Sequence, residues 1–209
     1  GLSKAYNYAA KYADKNGFKW LLLADQDTYF PENILSIYYS AIEENREMML
    51  FVPKVRINKQ KYLSPVKNNH YISYLSNNCP TGKIDSSKYG VINSGMLINI
   101  RAFWNVGGYN EKVWLDFSDY QFLERFSSMY KEIFVVDIEC MQSFSNEDHN
   151  FDEKLKRYKC FCSSLKNYKP LRSFNKFWIG LMVFKRALSL SLSIKSFSPL
   201  LIYINKYLL

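Results

Sequence analysis

The sequence predicts an α/β domain, a mixed and largely parallel sheet flanked by helices, followed by a helical, apolar and basic C-terminal extension. Three observations carry that prediction. Short apolar runs bounded by turn residues recur through the first 150 residues, as strands buried on both faces do. Segments with apolar residues at helical spacing alternate with them. The charge is divided: residues 1–150 carry 16 Lys/Arg and 17 Asp/Glu, whereas residues 151–209 carry 12 and 2, with no acid after Glu153. The formal +9 of the 209-residue chain is therefore a property of its tail. We divide the chain at that point, into a body over 1–150 and an extension over 151–209.

Taken in order, Leu2, Tyr6, Ala9, Ala10 and Ala13 predict a helix that Asn16-Gly17 ends. The run Phe18 to Ala24 predicts a buried parallel strand whose carboxyl edge is Asp25-Gln26-Asp27. Pro31 opens a second helix, with Ile34, Ile37, Tyr38, Ala41 and Ile42 on one face. Met48 to Val52 is a second strand. Residues 56–90 are polar and predict a long surface excursion. Val91 to Ile98 is a strand interrupted at Ser94-Gly95, where a glycine admits a close neighbour. Residues 101–106 are helical up to Gly107-Gly108. Asp119 to Tyr130 is a helix, Ile133 to Val136 a strand, and 152–168 a helix with Leu155, Tyr158, Phe161, Cys162 and Leu165 on one side.

The composition excludes several classes. Aromatics at 17% and hydrophobics at 48% are too many for a disordered chain. Cys79, Cys140, Cys160 and Cys162 contain no CxxC, His70 and His149 stand alone, and free thiols in a reducing compartment are the reading. A nucleic-acid-binding module would need basic groove-reading residues on the body, which is neutral. The chain opens on Gly1-Leu2-Ser3 with neither methionine nor a signal-peptide pattern, which reads as a fragment lacking upstream residues.

The carboxylates carry the chemistry. Ligands of open α/β sheets bind off the carboxyl ends of strands, where Asp25 and Asp27 stand. Two acids there suit a hard divalent cation, Mg²⁺ or Mn²⁺, shared with phosphate oxygens. The competing reading is that Asp27 and Thr28 only cap the helix after Pro31. Asp116 and Asp119 form a second set, in which Asp119 is either a helix cap or a general base. Arg125, almost two turns on, pairs with a carboxylate, with phosphate, or in a plain surface ion pair.

In this order the pieces resemble the family 2 glycosyltransferases of the GT-A fold, and within them the bacterial rhamnosyltransferase-like branch. The matching residues are Leu23-Ala24-Asp25-Gln26-Asp27-Thr28, then Asn93-Ser94-Gly95, Phe103, and Val106-Gly107-Gly108-Tyr109-Asn110-Glu111. Asp116, Asp119 and Arg125 complete the set, and the resemblance covers about residues 1–150. It implies inverting transfer of a sugar from a nucleotide-sugar donor to a saccharide or lipid-linked acceptor in bacterial surface polysaccharide synthesis. It places Asp25, Gln26, Asp27, Ser94, Gly95 and Arg125 at the donor, Asp27 and Asp25 on the metal, and Asp119 with Asp116 at the chemistry, Asp119 as base. Two departures stand out. The family's first strand and nucleotide-base pocket would precede residue 1, so the fragment is expected to be inactive. In Met141-Gln142-Ser143-Phe144-Ser145, Gln142 stands where the family often has His. A nucleotidyltransferase and a non-catalytic, sugar-nucleotide-binding homologue are the competing functions.

In the tail, Phe177 to Phe184, Ala187 to Ile194 and Ser196 to Asn205 are uncharged runs, each too short to span a bilayer. Basic residues beside them suit a segment lying on an anionic membrane, which would put the protein in the cytoplasm against the inner membrane face. The alternative is that they pack on the body. Leu188, Leu190, Leu192 and Ile194 alternate with serines at a strand period.

Overall fold

The computed structural model describes residues 1–57, 59–69, 72–73, 75–143, 151–171 and 174–209. His70, His149, Phe144 and Ser145 lie outside the described residues. Ser3, Tyr6, Ala10 and Ala13 form the buried face of α1 (Leu2–Lys15). Gly17, at φ +75°, turns the chain into β1 (Trp20–Leu22). β2 (Thr28–Tyr29) and α2 (Ile34–Glu44) lead to β3 (Leu50–Arg56). The polar stretch that follows is folded into short strands: β4 (Tyr62–Ser64), β5 (Val66–Asn69), β6 (Ile72–Ser73), β7 (Gly82–Asp85) and β8 (Tyr89–Gly90). β9 (Leu97–Asn99) runs into α3 (Ile100–Asn105), capped by the Asn99 side chain, which accepts from two backbone N–H groups. α4 (Ser118–Met129) and β10 (Glu132–Gln142) complete the body. The extension is helical: α5 (Phe151–Lys166), α6 (Phe174–Ile194), α7 (Ser198–Tyr203) and a π-helical turn (Ile204–Leu208).

The main sheet has the order β1-β9-β3-β10-β2, with β4 added to β3 and β7 to β10. Among the described residues only β3 and β10 pair in parallel within it; the remaining pairs are antiparallel. The α/β class holds, and the sheet is mixed with less parallel pairing than its apolar runs predict. The Phe18–Ala24 run pairs antiparallel with β9. β1, β3 and β10 nonetheless point the same way, and β9 runs against them. The ends of three strands and the start of β9 therefore meet at one edge.

Side-chain alternation divides the core between two sheet faces. Leu50 and Val52 of β3 pack with α1, α3 and α4, and Phe51 and Val55 pack with α2. In β10, Ile133 and Val135 take the first face and Val136, Ile138 and Cys140 the second. The step falls where the pairing with β3 shifts register, as a bulge requires.

Tyr158, Phe161, Cys162 and Leu165 of α5 form a third cluster with Ile179, Val183 and Ala187 of α6, Ile202 of α7, and Val113 of the body. α6 is one continuous helix through the strand-like Leu/Ser alternation, and its buried residues Ile179, Val183 and Ala187 recur every fourth position before that stretch.

Candidate functional site

The acidic loop leaves β1 at the edge where the strand ends meet. The Leu23 N–H donates to Met96 O and the Gly95 N–H to Leu23 O, both at 2.8 Å, which ties the loop to the segment before β9. Gly95 stands at φ +81°, where side chains are disfavoured, and a Cβ there would lie 2.4 Å from Pro53 Cγ. Tyr38 Oη donates to the Gly95 carbonyl. Ser94 Oγ accepts from the Asp25 N–H at 3.2 Å and donates to Thr28 Oγ1 at 2.8 Å. Ser94 and Gly95, expected at the donor, are buried and act by holding Asp25's loop.

Asp25 is half-buried and accepts at Oδ1 from Tyr6 Oη, 2.9 Å away. Burial pushes its carboxyl above the usual range, the Tyr6 bond opposes that, and Asp27's charge adds to it. Gln26 and Asp27 are exposed. Gln142 Nε2 lies 3.3 Å from both Asp27 carboxylate oxygens, and the Ser143 N–H donates to Asp27 O at 3.0 Å. The helix-cap reading of Asp27 fails: Thr28 and Tyr29 form β2, and α2 begins only at Ile34.

The second acidic set lies on the turn into α4. Phe117 has φ +65°, an uncommon conformation for a bulky residue. Its ring stacks on Tyr120 at 5.1 Å and meets Phe161 edge-on at 6.1 Å, so aromatic packing holds the turn. Asp119 Oδ1 accepts from the Tyr120 N–H at 2.8 Å. Asp119 keeps some contact with solvent, yet protein surrounds it on most sides. Burial pushes its carboxyl up to about 7; the Tyr120 N–H opposes the rise, and the charges of Asp116 and Asp25 add to it. Asp116 is bound to Arg157 Nη2 of α5 at 2.7 Å, and its Oδ2 is buried without a partner. Asp116 thus works as an anchor between the turn and the extension.

Asp25, Asp27 and Asp119 converge. The hydroxyl of Tyr6 is raised first by burial and then by the charges of all three. In the sequence Tyr6 carries no sign of this beyond its place on a helix face. Tyr6 packs on Tyr109 at 5.3 Å, and Tyr109 Oη donates to Asn93 Oδ1 at 2.5 Å, which fixes the floor of the site. Arg125 has a different task from the one expected. Its Nη2 donates to Gly108 O at 2.5 Å and its Nε to Gln121 O at 3.3 Å, clamping the Gly107-Gly108 turn.

The donor set fits a hard cation in part. Asp27 offers an exposed carboxylate, Asp25 is a half-buried one beside it, and Gln142 Oε1 is a buried oxygen with no partner. These are oxygen ligands of the kind Mg²⁺ shares with phosphate and water. No group of three or more His, Cys, Asp or Glu among the described residues forms a closed protein cage. The arrangement can therefore present an open oxygen-rich edge next to a carboxyl that titrates near neutrality.

Similar architecture occurs in solved structures. S. aureus TarS 1-349 superposes with a TM-score of 0.50 at 13% identity, over 90% of this chain and 52% of that one. A longer S. aureus TarS structure gives 0.51 at 14% identity, over 90% of this chain and 31% of that one. The chain shares the GT-A-like fold of these structures. At this identity the likeness concerns the fold alone, and the chain spans about half the length of the shorter TarS structure. No family model and no curated protein sequence matches the chain.

Proposed function

We propose that this protein is an inverting glycosyltransferase that moves a sugar from a nucleotide-sugar donor to a saccharide or lipid-linked acceptor in bacterial surface polysaccharide synthesis. We place it in the rhamnosyltransferase-like branch, as a hexosyltransferase of the cytoplasm working against the inner face of the membrane. The observation that carries the reading is Asp119: a carboxyl raised to about 7, on a strained turn, within the field of Asp25. A general base works best when its pKa lies near the operating pH. The glycosyltransferase fold shared with TarS supports it.

In this reaction Asp119 takes the proton of an acceptor hydroxyl. The freed oxygen attacks the anomeric carbon from the side opposite the nucleoside diphosphate, whose bond to the sugar breaks. Tyr6 and Ser94 hold Asp25 in place, and Gln142 orients Asp27. A Mg²⁺ or Mn²⁺ ion held by Asp27 and Asp25 would supply charge neutralisation for the diphosphate.

Release of nucleoside diphosphate by the full-length protein from a panel of nucleotide sugars tests the reading, since this segment alone is expected to be inactive. D119N should slow transfer by roughly 10²- to 10⁴-fold while donor binding persists. D27A should lose Mn²⁺-dependent donor binding. Transfer by D119N at the unmodified rate would remove Asp119 from the role.

A further inference from the structure

We propose that α6 and the segment from Phe197 to Leu208 form a docking face for an anionic lipid surface, lying in the plane of that surface. α6 has two apolar sides. Ile179, Val183 and Ala187 are buried against α5. Phe177, Leu181, Phe184, Leu188 and Leu192 remain exposed, Phe177 at 66% and Leu192 at 81%. With 3.6 residues per turn these five fall within an arc of about 80°. The next segment repeats the pattern: Phe197, Leu201, Ile204 and Leu208 follow the same spacing and are exposed, Phe197 at 79%. Water is a poor neighbour for so much contiguous apolar surface.

Charge names the occupant. Lys176, Lys185, Lys195 and Lys206 are exposed along the same segments, and the sequence holds no acid after Glu153. A second copy laid face to face would set these lysines against their own kind. A surface that is apolar within and negative at its boundary satisfies both features, which is the chemistry of an anionic bilayer interface.

α6 also has the length and composition to cross a membrane, over Lys176–Ile194. Its attachments favour lying flat. Tyr158 Oη donates to Val183 O at 3.0 Å, and the Arg186 guanidinium sits 4.2 Å from the centre of the Phe161 ring. Crossing would strip α6 from α5 and expose Tyr158 and Phe161.

The same cluster reaches the site. Phe117 and Tyr120, on either side of Asp119, pack against it, and Arg157 of α5 binds Asp116. Docking would thus hold the acidic turn at a set height above the lipid, where a lipid-linked acceptor presents its hydroxyl. That last step alone rests on the sugar-transfer reading.

Co-sedimentation with phosphatidylcholine vesicles, with and without phosphatidylglycerol, tests the face. Binding should need phosphatidylglycerol and weaken with salt. The triple variant Phe177→Gln, Leu188→Gln, Leu192→Gln, and separately the pair Lys185→Glu, Lys195→Glu, should each reduce it about tenfold or more. Circular dichroism checks that both variants stay folded. The proposal is overturned if phosphatidylglycerol vesicles do not bind, if neither variant weakens binding, or if ultracentrifugation finds a dimer that the glutamine variant dissociates. A full-length protein that docks but transfers no sugar keeps the face and loses only the enzymatic reading.

Discussion

D119N should make the folded protein more stable at neutral pH while removing the proposed base. Burial raises the native carboxyl to about 7, against about 3.9 for an unperturbed aspartate. Between those values the native state keeps a proton that the unfolded chain has released. Stability therefore falls as pH rises, beginning near pH 4 and ending near pH 7, by about 1.4 kcal/mol per unit. Three units give an upper bound of about 4 kcal/mol, and Asp119's remaining contact with solvent lowers the expectation to about 2 kcal/mol. Asparagine carries no charge to bury, and its side-chain oxygen can still accept from the Tyr120 N–H. Urea unfolding followed by tryptophan fluorescence, with chelator present, should find the two proteins equally stable at pH 4 and D119N ahead by about 2 kcal/mol at pH 8. A stability difference that is flat across this range, or a variant weaker at pH 8, would refute the argument that burial raises this carboxyl.

Two further perturbations act on the frame of the site. Gly95→Ala puts a Cβ 2.4 Å from Pro53 Cγ at a positive φ, and thermal melting should show a loss of about 2–4 kcal/mol. Arg157→Met strips the cation from Asp116, whose other oxygen already lacks a partner. The half-exposed pair implies a loss of about 1–2 kcal/mol in denaturant unfolding at pH 8. That loss should shrink toward pH 4, where the largely buried Asp116 carboxyl, left with the charge of Arg186 alone, takes up a proton.

Much of this architecture is visible in local patterns. Leu50 and Val52 alternate with Phe51 and Val55 because a strand between two helical layers must face both. Ala10 and Ala13 mark a helix packed close to the sheet. What stays hidden is partnership. An apolar run such as Trp20-Leu21-Leu22 has the same composition whichever way its neighbour runs, so the antiparallel β9 has no local signature. The extension's Leu/Ser alternation runs on as the last turns of α6, whose buried residues Ile179, Val183 and Ala187 lie upstream of it.

The acids of the site are legible for a similar reason. Asp25 and Asp27 end an apolar run, and Asp119 begins a helix, both local facts. Tyr6 looks like an ordinary core tyrosine until Asp25 is brought to its hydroxyl. Arg157 lies 41 residues from Asp116 in an otherwise basic stretch and has nothing to mark it. Arg125 misleads in the opposite direction: its spacing from Asp119 points to a ligand, and its guanidinium is taken by a backbone carbonyl.

The bonds that hold the acidic loop join residues 19, 69 and 115 positions apart. Closing such long intervals costs chain entropy before any contact returns it. The loop is thus aimed only when the last strand arrives, since Gln142 and Ser143 sit at the end of β10. β1 likewise has its partner only in β9, so neither the strand nor the direction of Asp27 is set by nearby sequence. Cation binding and catalysis, as proposed, would be properties of the finished sheet, with no forerunner in any fragment of it.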